Sequence, residues 1–158
     1  MRHHGATSPK SSTRVRHKVS VKPRPSRARV RRGGHSSHAQ AVAVVSRGEV
    51  QIIRPQGTRL FYPHLGSLVR EVRHLVDLGA RKLVIDLGAV NDIDGASIGG
   101  LVELYRLLRQ KGGSVRLTGL RPWVRKMLEM TGILRVVPVD QGVAQALVCL
   151  RSPGTLQG

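Results

Sequence analysis

The residues in this chain with the clearest capacity for chemistry are three aspartates close together in the sequence, Asp86, Asp92 and Asp94. Neighbouring carboxylates can act as general acid and base, or they can hold a cation. The rest of such a site is missing, because the sequence has no Gly-x-Ser-x-Gly elbow, no Gly-Lys-Ser/Thr phosphate loop and no Cys/His ligand pair. The single cysteine, Cys149, excludes an internal disulfide and a cysteine-based metal cluster. We therefore expect no catalytic residue, no metal site and no cofactor.

The most informative segment is the glycine-rich stretch 90–101, which lies between an apolar strand and the start of a helix. Its glycines allow other backbone to approach closely and leave the first helical turn bare. A bare helix N-terminus presents free N–H groups and a partial positive charge, which favour an anion such as a phosphoryl group. The structural alternative is that Asp94 or Ser97 caps the helix, a contribution of about 1 kcal/mol. The two interpretations are compatible.

The elements that must position this stretch follow from hydrophobic periodicity. Two β-rich runs, 41–45 and 50–53, predict an antiparallel hairpin. A helical pattern over 65–76 is followed by the apolar strand 83–87, in which Asp86 is expected to end the strand and accept hydrogen bonds from loop amides. The remaining predicted elements are a helix over 98–108, a strand over 115–117, a helix over 122–131, a strand at 136–137 and a helix over 143–150.

The element order β-β-α-β-α-β-α-β-α implies right-handed crossovers and a mainly parallel sheet, to which the hairpin adds an antiparallel strand. We predict one α/β domain over 41–151, with a mixed, mostly parallel sheet of about five strands and about four helices. The helices are expected to cover one face of the sheet more heavily than the other. Because no apolar run approaches the ~20 residues of a membrane span, no membrane insertion is expected.

Residues 1–40 form a basic tail, with eleven Lys and Arg, five of the seven His and no acid. Their few aliphatic side chains cannot offset an ordering entropy of about 1–2 kcal/mol per residue, so we predict disorder there. A flexible C-terminus is predicted over 152–158. The tail is interpreted as a solvated appendage or the product of a wrongly assigned start codon, as a weak nucleic-acid-binding segment, or as a targeting segment. The chain's net charge of +18 suits acidic partners.

Several segments together resemble the signature of STAS domains. They are 82–87, Val90 and the run 93–99, which reads Ile-Asp-Gly-Ala-Ser-Ile-Gly. In bacterial anti-sigma factor antagonists, which typify that family, the loop commonly reads Asp-Ser-Ser/Thr/Ala-Gly-Leu/Ile-Gly. Further along the chain, 111–117 resembles the family's next turn and strand, and 124–133 is similar to its third helix. The resemblance covers the predicted domain and omits the tail.

The resemblance implies a cytoplasmic regulatory binding protein without catalytic activity. In the bacterial systems, the unphosphorylated antagonist binds an anti-sigma factor that is also a histidine-kinase-like ATPase, and a sigma factor is thereby released for transcription. This ATPase, a serine-protein kinase, phosphorylates a Ser or Thr at the start of the second helix, and the complex dissociates. The residues that would bind the partner are Asp92, Asp94, Gly95, Ala96, Ser97, Ile98 and Gly99.

This sequence departs from the family pattern at the acceptor itself. Asp94 matches the loop aspartate, but the acceptor position falls on Ala96, which has no hydroxyl, and a serine follows one position later at Ser97. One residue along a helix turns a side chain by about 100°, so phosphorylation of Ser97 and capping by Ser97 remain alternatives. The acidic residue that the family tends to carry after the second strand is also absent from 57–61. These departures favour a constitutive antagonist, or a STAS subunit of another regulatory or lipid-transport complex.

A tryptophan near the predicted start of the third helix has two interpretations. Trp123 is surrounded in sequence by Arg121, Arg125 and Lys126. It is either a partner-facing anchor or a lid over the edge of the sheet, since an indole combines a large apolar body with a polar N–H. Elsewhere aromatic residues are scarce, at 3% of the chain, which disfavours a stacking platform for single-stranded nucleic acid.

Overall fold

The computed structural model describes residue 5 and residues 42–62 and 64–152. The predictions of a disordered tail over 1–40 and of a flexible C-terminus over 152–158 therefore fall, apart from residues 5 and 152, outside the described residues. Within those residues, no helix combines the length and the apolar character that crossing a bilayer requires.

The described chain contains a five-stranded sheet, a small two-stranded sheet, four α-helices and one short 3₁₀ helix. In chain order the elements are β1 (Val42–Arg47), β2 (Val50–Pro55), β3 (Arg59–Leu60), α1 (His64–Asp77), β4 (Lys82–Asp86), β5 (Asp92–Ile93), α2 (Gly95–Gln110), β6 (Ser114–Thr118), α3 (Pro122–Met130), the 3₁₀ helix (Ile133–Arg135), β7 (Val139–Asp140) and α4 (Val143–Arg151).

The main sheet has the strand order β1-β2-β4-β6-β7. The β1–β2 pair is antiparallel, and the other three pairs are parallel. This topology follows from the connections, because a short turn can join only antiparallel strands whereas parallel strands need a crossover such as a helix. The predicted fold class, an α/β domain with a mixed, mostly parallel sheet, is confirmed.

The two faces of the main sheet are covered unequally, as the sequence predicts. Side chains alternate across a strand, so Leu83 and Ile85 of β4 face one side and Val84 the other. The first side packs against α1, α2 and α3 in a large core cluster. Within the part of the chain that the structure describes, the second side packs against α4, through Ala146 and Leu150. Three helices thus pack on the face of the sheet that carries the larger core cluster.

The last strand differs from the prediction. The sequence favours a strand at 136–137, but residues 133–135 form a 3₁₀ turn, and the Val137 amide donates to the Ile133 carbonyl at 2.9 Å. The strand begins only at Val139, beyond Pro138, whose carbonyl accepts from the Leu117 amide at 2.9 Å. Valine content alone does not distinguish the two positions, because both carry β-branched residues.

A buried ion pair joins the last two strands of the main sheet beneath α4. Asp140 has a side chain only 3% exposed, and Arg116 of β6 is 22% exposed. Arg116 donates to both oxygens of the carboxylate, with Nη2 at 2.9 Å from Oδ1. This hydrogen bonding raises the pKa of Arg116 above its ordinary value, so the guanidinium stays charged in the folded protein.

Candidate functional site

The candidate site lies between the carboxyl end of β4 and the start of α2, a segment whose strand β5 pairs with β3 in the separate two-stranded sheet. Arg59 pairs with Asp92, and Leu60 pairs with Ile93, in parallel register. The Thr58 carbonyl also accepts the Asp92 amide, at 3.2 Å. The segment that precedes α2 is therefore held in place by backbone hydrogen bonds to the segment that precedes α1.

Asp94 is the N-cap of α2. Its Oδ1 accepts the Ser97 amide at 2.8 Å, and its Oδ2 accepts the Tyr62 amide at 3.2 Å. Burial opposes ionisation of this carboxyl, but the hydrogen bonds from Ser97 and Tyr62 outweigh it, so the pKa of Asp94 lies below its ordinary value of 3.8. The capping interpretation of Asp94 is thus correct, and the same side chain also ties the start of α1 to the start of α2.

Asp94 should make the stability of the protein depend on pH in the acidic range. A carboxyl whose pKa is lowered by folding stabilises the folded state above its unfolded pKa, and this contribution is lost as the pH falls through the folded pKa. Asn is a comparable N-cap but does not titrate. When the pH is lowered from about 5 to about 2, we expect the free energy of unfolding to fall less for Asp94→Asn than for the wild type. Urea unfolding at a series of pH values measures this difference. Asp77→Asn, at the exposed end of α1, is the control; equal losses for the wild type and Asp94→Asn would contradict the assignment.

Asp92 fixes an aromatic side chain that sequence reasoning did not connect with it. Its Oδ1 accepts the Ile93 amide at 3.0 Å and the indole Nε1–H of Trp123 at 3.3 Å. Trp123 lies in the first turn of α3 and is 51% exposed. The Lys126 ammonium group lies 5.9 Å from the centre of the indole ring. The tryptophan is therefore both a partial cover for the sheet edge and an oriented surface residue.

Asp86, the third predicted carboxylate, has partners of its own. Its Oδ1 accepts the Gly88 amide at 3.1 Å, as expected for the end of a strand, and its Oδ2 accepts from Arg54 Nε at 2.8 Å. Gly119 adopts a φ of +70°, and a Cβ there would lie 2.6 Å from Asp86 Oδ1. Asp86 thus links the end of β4 to β2 and to the loop that follows β4, and no hydrogen bond in the described chain joins it to Asp92 or Asp94.

The first turn of α2 divides into an exposed side and a buried side. Gly95, Ala96 and Gly99 are exposed, whereas the side chains of Ser97 and Ile98 lie in the core. Ser97 is fully buried, so a kinase could reach its hydroxyl only if the first turn of α2 unwound. The exposed position carries Ala96, which has no group to modify. Five of the seven predicted site residues thus have at least partly accessible side chains or backbone: Asp92, Asp94, Gly95, Ala96 and Gly99.

The arrangement has the features of a docking surface. Within the described ranges, no group of three His, Cys, Asp or Glu side chains is placed to hold a metal ion. Each aspartate is already engaged in hydrogen bonds that hold backbone or Trp123 in place. What the site offers is a rigid, small-residue turn at a helix start, on the edge of an α/β sheet where ligands commonly bind. The fold and the site together define a small α/β domain with an exposed turn at the start of its second helix.

Comparison with known proteins identifies the family. The STAS domain model matches residues 41–146, more than half of the chain, and the chain belongs to the STAS domain family. Among curated relatives, BtrV of Bordetella bronchiseptica is 36% identical over 73 residues, and its name describes an anti-sigma factor antagonist. The matched residues cover 46% of this chain and 63% of BtrV. The anti-sigma F factor antagonist of Paenibacillus polymyxa is 28% identical over 65 residues, 41% of this chain and 56% of the relative. The match thus spans less than two thirds of either relative.

A solved structure supports the fold independently of close sequence similarity. The crystal structure of an anti-sigma factor antagonist from Mycobacterium paratuberculosis superposes with a TM-score of 0.65 at 20% identity, covering 74% of this chain and 98% of that chain. At this level of identity the likeness concerns the fold. The family model over residues 41–146 is what confirms the resemblance to STAS domains that the sequence predicts.

Proposed function

We propose that this protein is an anti-sigma factor antagonist. In this proposal it binds an anti-sigma factor of the histidine-kinase-like ATPase type in the cytoplasm, and a sigma factor is released for transcription. The single observation that carries the proposal is the exposed turn at Gly95 and Ala96, rigidly capped by Asp94 at the start of α2. The names of the relatives, BtrV and the antagonist of Paenibacillus polymyxa, support it.

The shape of the turn suits close contact with a protein partner. Gly95, Ala96 and Gly99 have little or no side chain, and a Cβ added at Gly95 or Gly99 would meet open space. A partner can therefore approach the backbone of the first helical turn directly, where unpaired N–H groups and the positive end of the helix dipole are available. Binding of this kind requires no catalytic group on the antagonist.

The proposed antagonist is constitutive, because the exposed acceptor position is Ala96 and Ser97 is fully buried. The alternative is that the first turn of α2 opens and Ser97 is phosphorylated there. A STAS subunit of another regulatory or lipid-transport complex would use the same turn against a different partner. Identification of the bound protein separates these alternatives from the main proposal.

A charge placed at Ala96 should abolish partner binding. A carboxylate in a closely packed interface must lose its hydration, which costs several kcal/mol when it gains no partner. We expect Ala96→Asp to weaken binding to an anti-sigma ATPase domain by about 100-fold or more, measured by calorimetry. Ala144→Asp is a matched control, because Ala144 is also the exposed second residue of a helix, on the opposite face of the sheet. If Ala96→Asp binds as tightly as the wild type, the turn is not the docking site.

Residues 1–40 favour nucleic acid as a second binding partner, because they hold eleven Lys and Arg and no acid. Binding through such a segment releases counterions and therefore weakens steeply with salt. We expect oligonucleotide affinity to fall by at least tenfold between about 50 and about 200 mM salt, and to be lost without residues 1–40. Fluorescence anisotropy of the full and shortened chains measures both effects; affinity that survives the truncation would contradict this role for the tail.

A further inference from the structure

Exposed aromatic side chains are concentrated at one end of this molecule. The chain contains only one Trp, two Tyr and one Phe. Trp123, Tyr62 and Phe61 all belong to segments that contact the turn before α2, and the fourth aromatic residue, Tyr105, packs against the core. We propose that Tyr62 and Trp123 are the anchors with which the turn selects its partner, a protein surface that carries an apolar recess bordered by carboxylates. This inference rests on the proposed docking function.

Trp123 has a side chain that a partner can bury at low cost. Its polar N–H is already hydrogen-bonded to Asp92 at 3.3 Å, so burial of the indole by a partner leaves no hydrogen-bond donor unpaired. The same bond restricts the side chain, which lowers the entropy lost when a partner immobilises it. About half of the residue's surface remains open to solvent. Large aromatic side chains in this state are typical of the few residues that dominate binding energy.

Tyr62 occupies the other segment that is attached to the turn. Its backbone amide donates to Asp94 at 3.2 Å, and the residue is 72% exposed. The preceding residue, Phe61, lies with its ring centre 5.7 Å from the guanidinium carbon of Arg59. Asp92 and Asp94 are two residues apart, so the two aspartates hold the two exposed aromatic residues at the same edge of the protein. The aspartates act here as positioning residues.

The charges around this pair favour a protein partner over a nucleic acid. Arg59, Arg121 and Lys126 are exposed around the aromatic residues and fit carboxylates on a facing surface. Asp92 and Asp94 accept hydrogen bonds from these two aromatic residues, and their negative charges disfavour the phosphate backbone of a nucleic acid. Only two aromatic residues are exposed, too few for successive bases to stack along a strand. An apolar recess with acidic residues at its border matches this pattern.

The test uses the full chain and the histidine-kinase-like ATPase domains of anti-sigma type encoded in its source genome, each expressed singly. We expect Trp123→Ala to weaken binding to the cognate domain by about tenfold or more, and Tyr62→Ala by a smaller factor. Asp92→Ala should weaken binding measurably, and Asp92→Asn, which keeps an acceptor for the indole, should restore it. Val148→Ala, an exposed apolar residue on α4, is the control and should bind as the wild type does.

A second measurement reports on the indole directly. Because the chain has a single Trp, labelling with 5-fluorotryptophan gives one ¹⁹F resonance, which should shift when the ATPase domain is added. If Trp123→Ala binds normally while Ala96→Asp does not, the anchor proposal is wrong and the docking turn stands. If no ATPase domain binds the wild type, both proposals fail. A resonance that shifts with an oligonucleotide at physiological salt, and not with the ATPase domain, overturns the choice of a protein partner.

Discussion

If the proposed function is correct, Ala96→Ser is expected to become stoichiometrically phosphorylated by the partner ATPase, and the wild type is expected to take no phosphate. Ala96 is exposed at the second residue of α2, so a hydroxyl there is open to a kinase. The positive end of the helix dipole and the free N–H groups of the first turn also favour a phosphate at this position. Ser97, one residue further and turned by about 100°, lies in the core.

The experiment is incubation with ATP and the cognate ATPase domain, followed by intact mass measurement and peptide mapping. The phosphorylated Ala96→Ser protein should also lose affinity for its partner, because the phosphate adds about −1.5 to −2 charges to the interface. Ala144→Ser, at the second residue of α4, is the control for a new hydroxyl at an exposed helix start. Phosphate on Ser97 of the wild type would show that the first turn of α2 opens, and would contradict the constitutive antagonist.

Asp140→Ala is expected to cause the largest loss of stability among simple side-chain truncations outside the hydrophobic core. Removing the carboxylate leaves the mostly buried Arg116 guanidinium without its partner, and breaking a buried pair in this way costs about 3–5 kcal/mol. Small domains have only about 5–15 kcal/mol of total stability, so the variant should be partly unfolded at modest temperatures. Urea unfolding monitored by circular dichroism measures the change.

Two companion variants separate the buried charge from the loss of side-chain contacts. Glu129→Ala removes the partner of Arg125 in an exposed pair at 3.9 Å, and we expect a loss below about 1 kcal/mol. Replacing both partners, in Arg116→Met with Asp140→Leu, should recover much of the stability lost in Asp140→Ala, because no unpaired charge remains. A loss in Asp140→Ala no greater than that in Glu129→Ala would show that Arg116 finds other compensation.

The sequence predicts the large elements because their patterns are local. Helix α1 repeats its apolar residues at helical spacing until Gly79, which has a φ of +99° and ends it. A difference in exposure between Ala96 and Ser97 is also predictable from the sequence, because adjacent helical residues face different directions. The two-residue strands β3 and β5 are not predictable in this way, since they are too short to show alternation.

The contacts that complete the candidate site join residues far apart in sequence. Trp123 and Asp92 are separated by 31 positions, and Arg54 and Asp86 by 32. No local pattern indicates that an indole on α3 donates to an aspartate before α2. The family resemblance predicts the turn before α2, but it contributes nothing about Trp123, because that residue depends on how α3 packs against β5.

β1 is an edge strand of the main sheet, and an edge strand can pair with a strand of another molecule. In the described part of the chain β1 pairs only with β2, so its outer backbone groups offer a template for a strand from another molecule. Its sequence, Val-Ala-Val-Val-Ser-Arg, carries a single charge at the far end. The segment that precedes β1 in the sequence, residues 1–40, holds eleven Lys and Arg and no acid, and the whole chain has a net charge of +18. Molecules that carry this much charge of one sign repel each other, and this repulsion opposes edge-to-edge aggregation through β1.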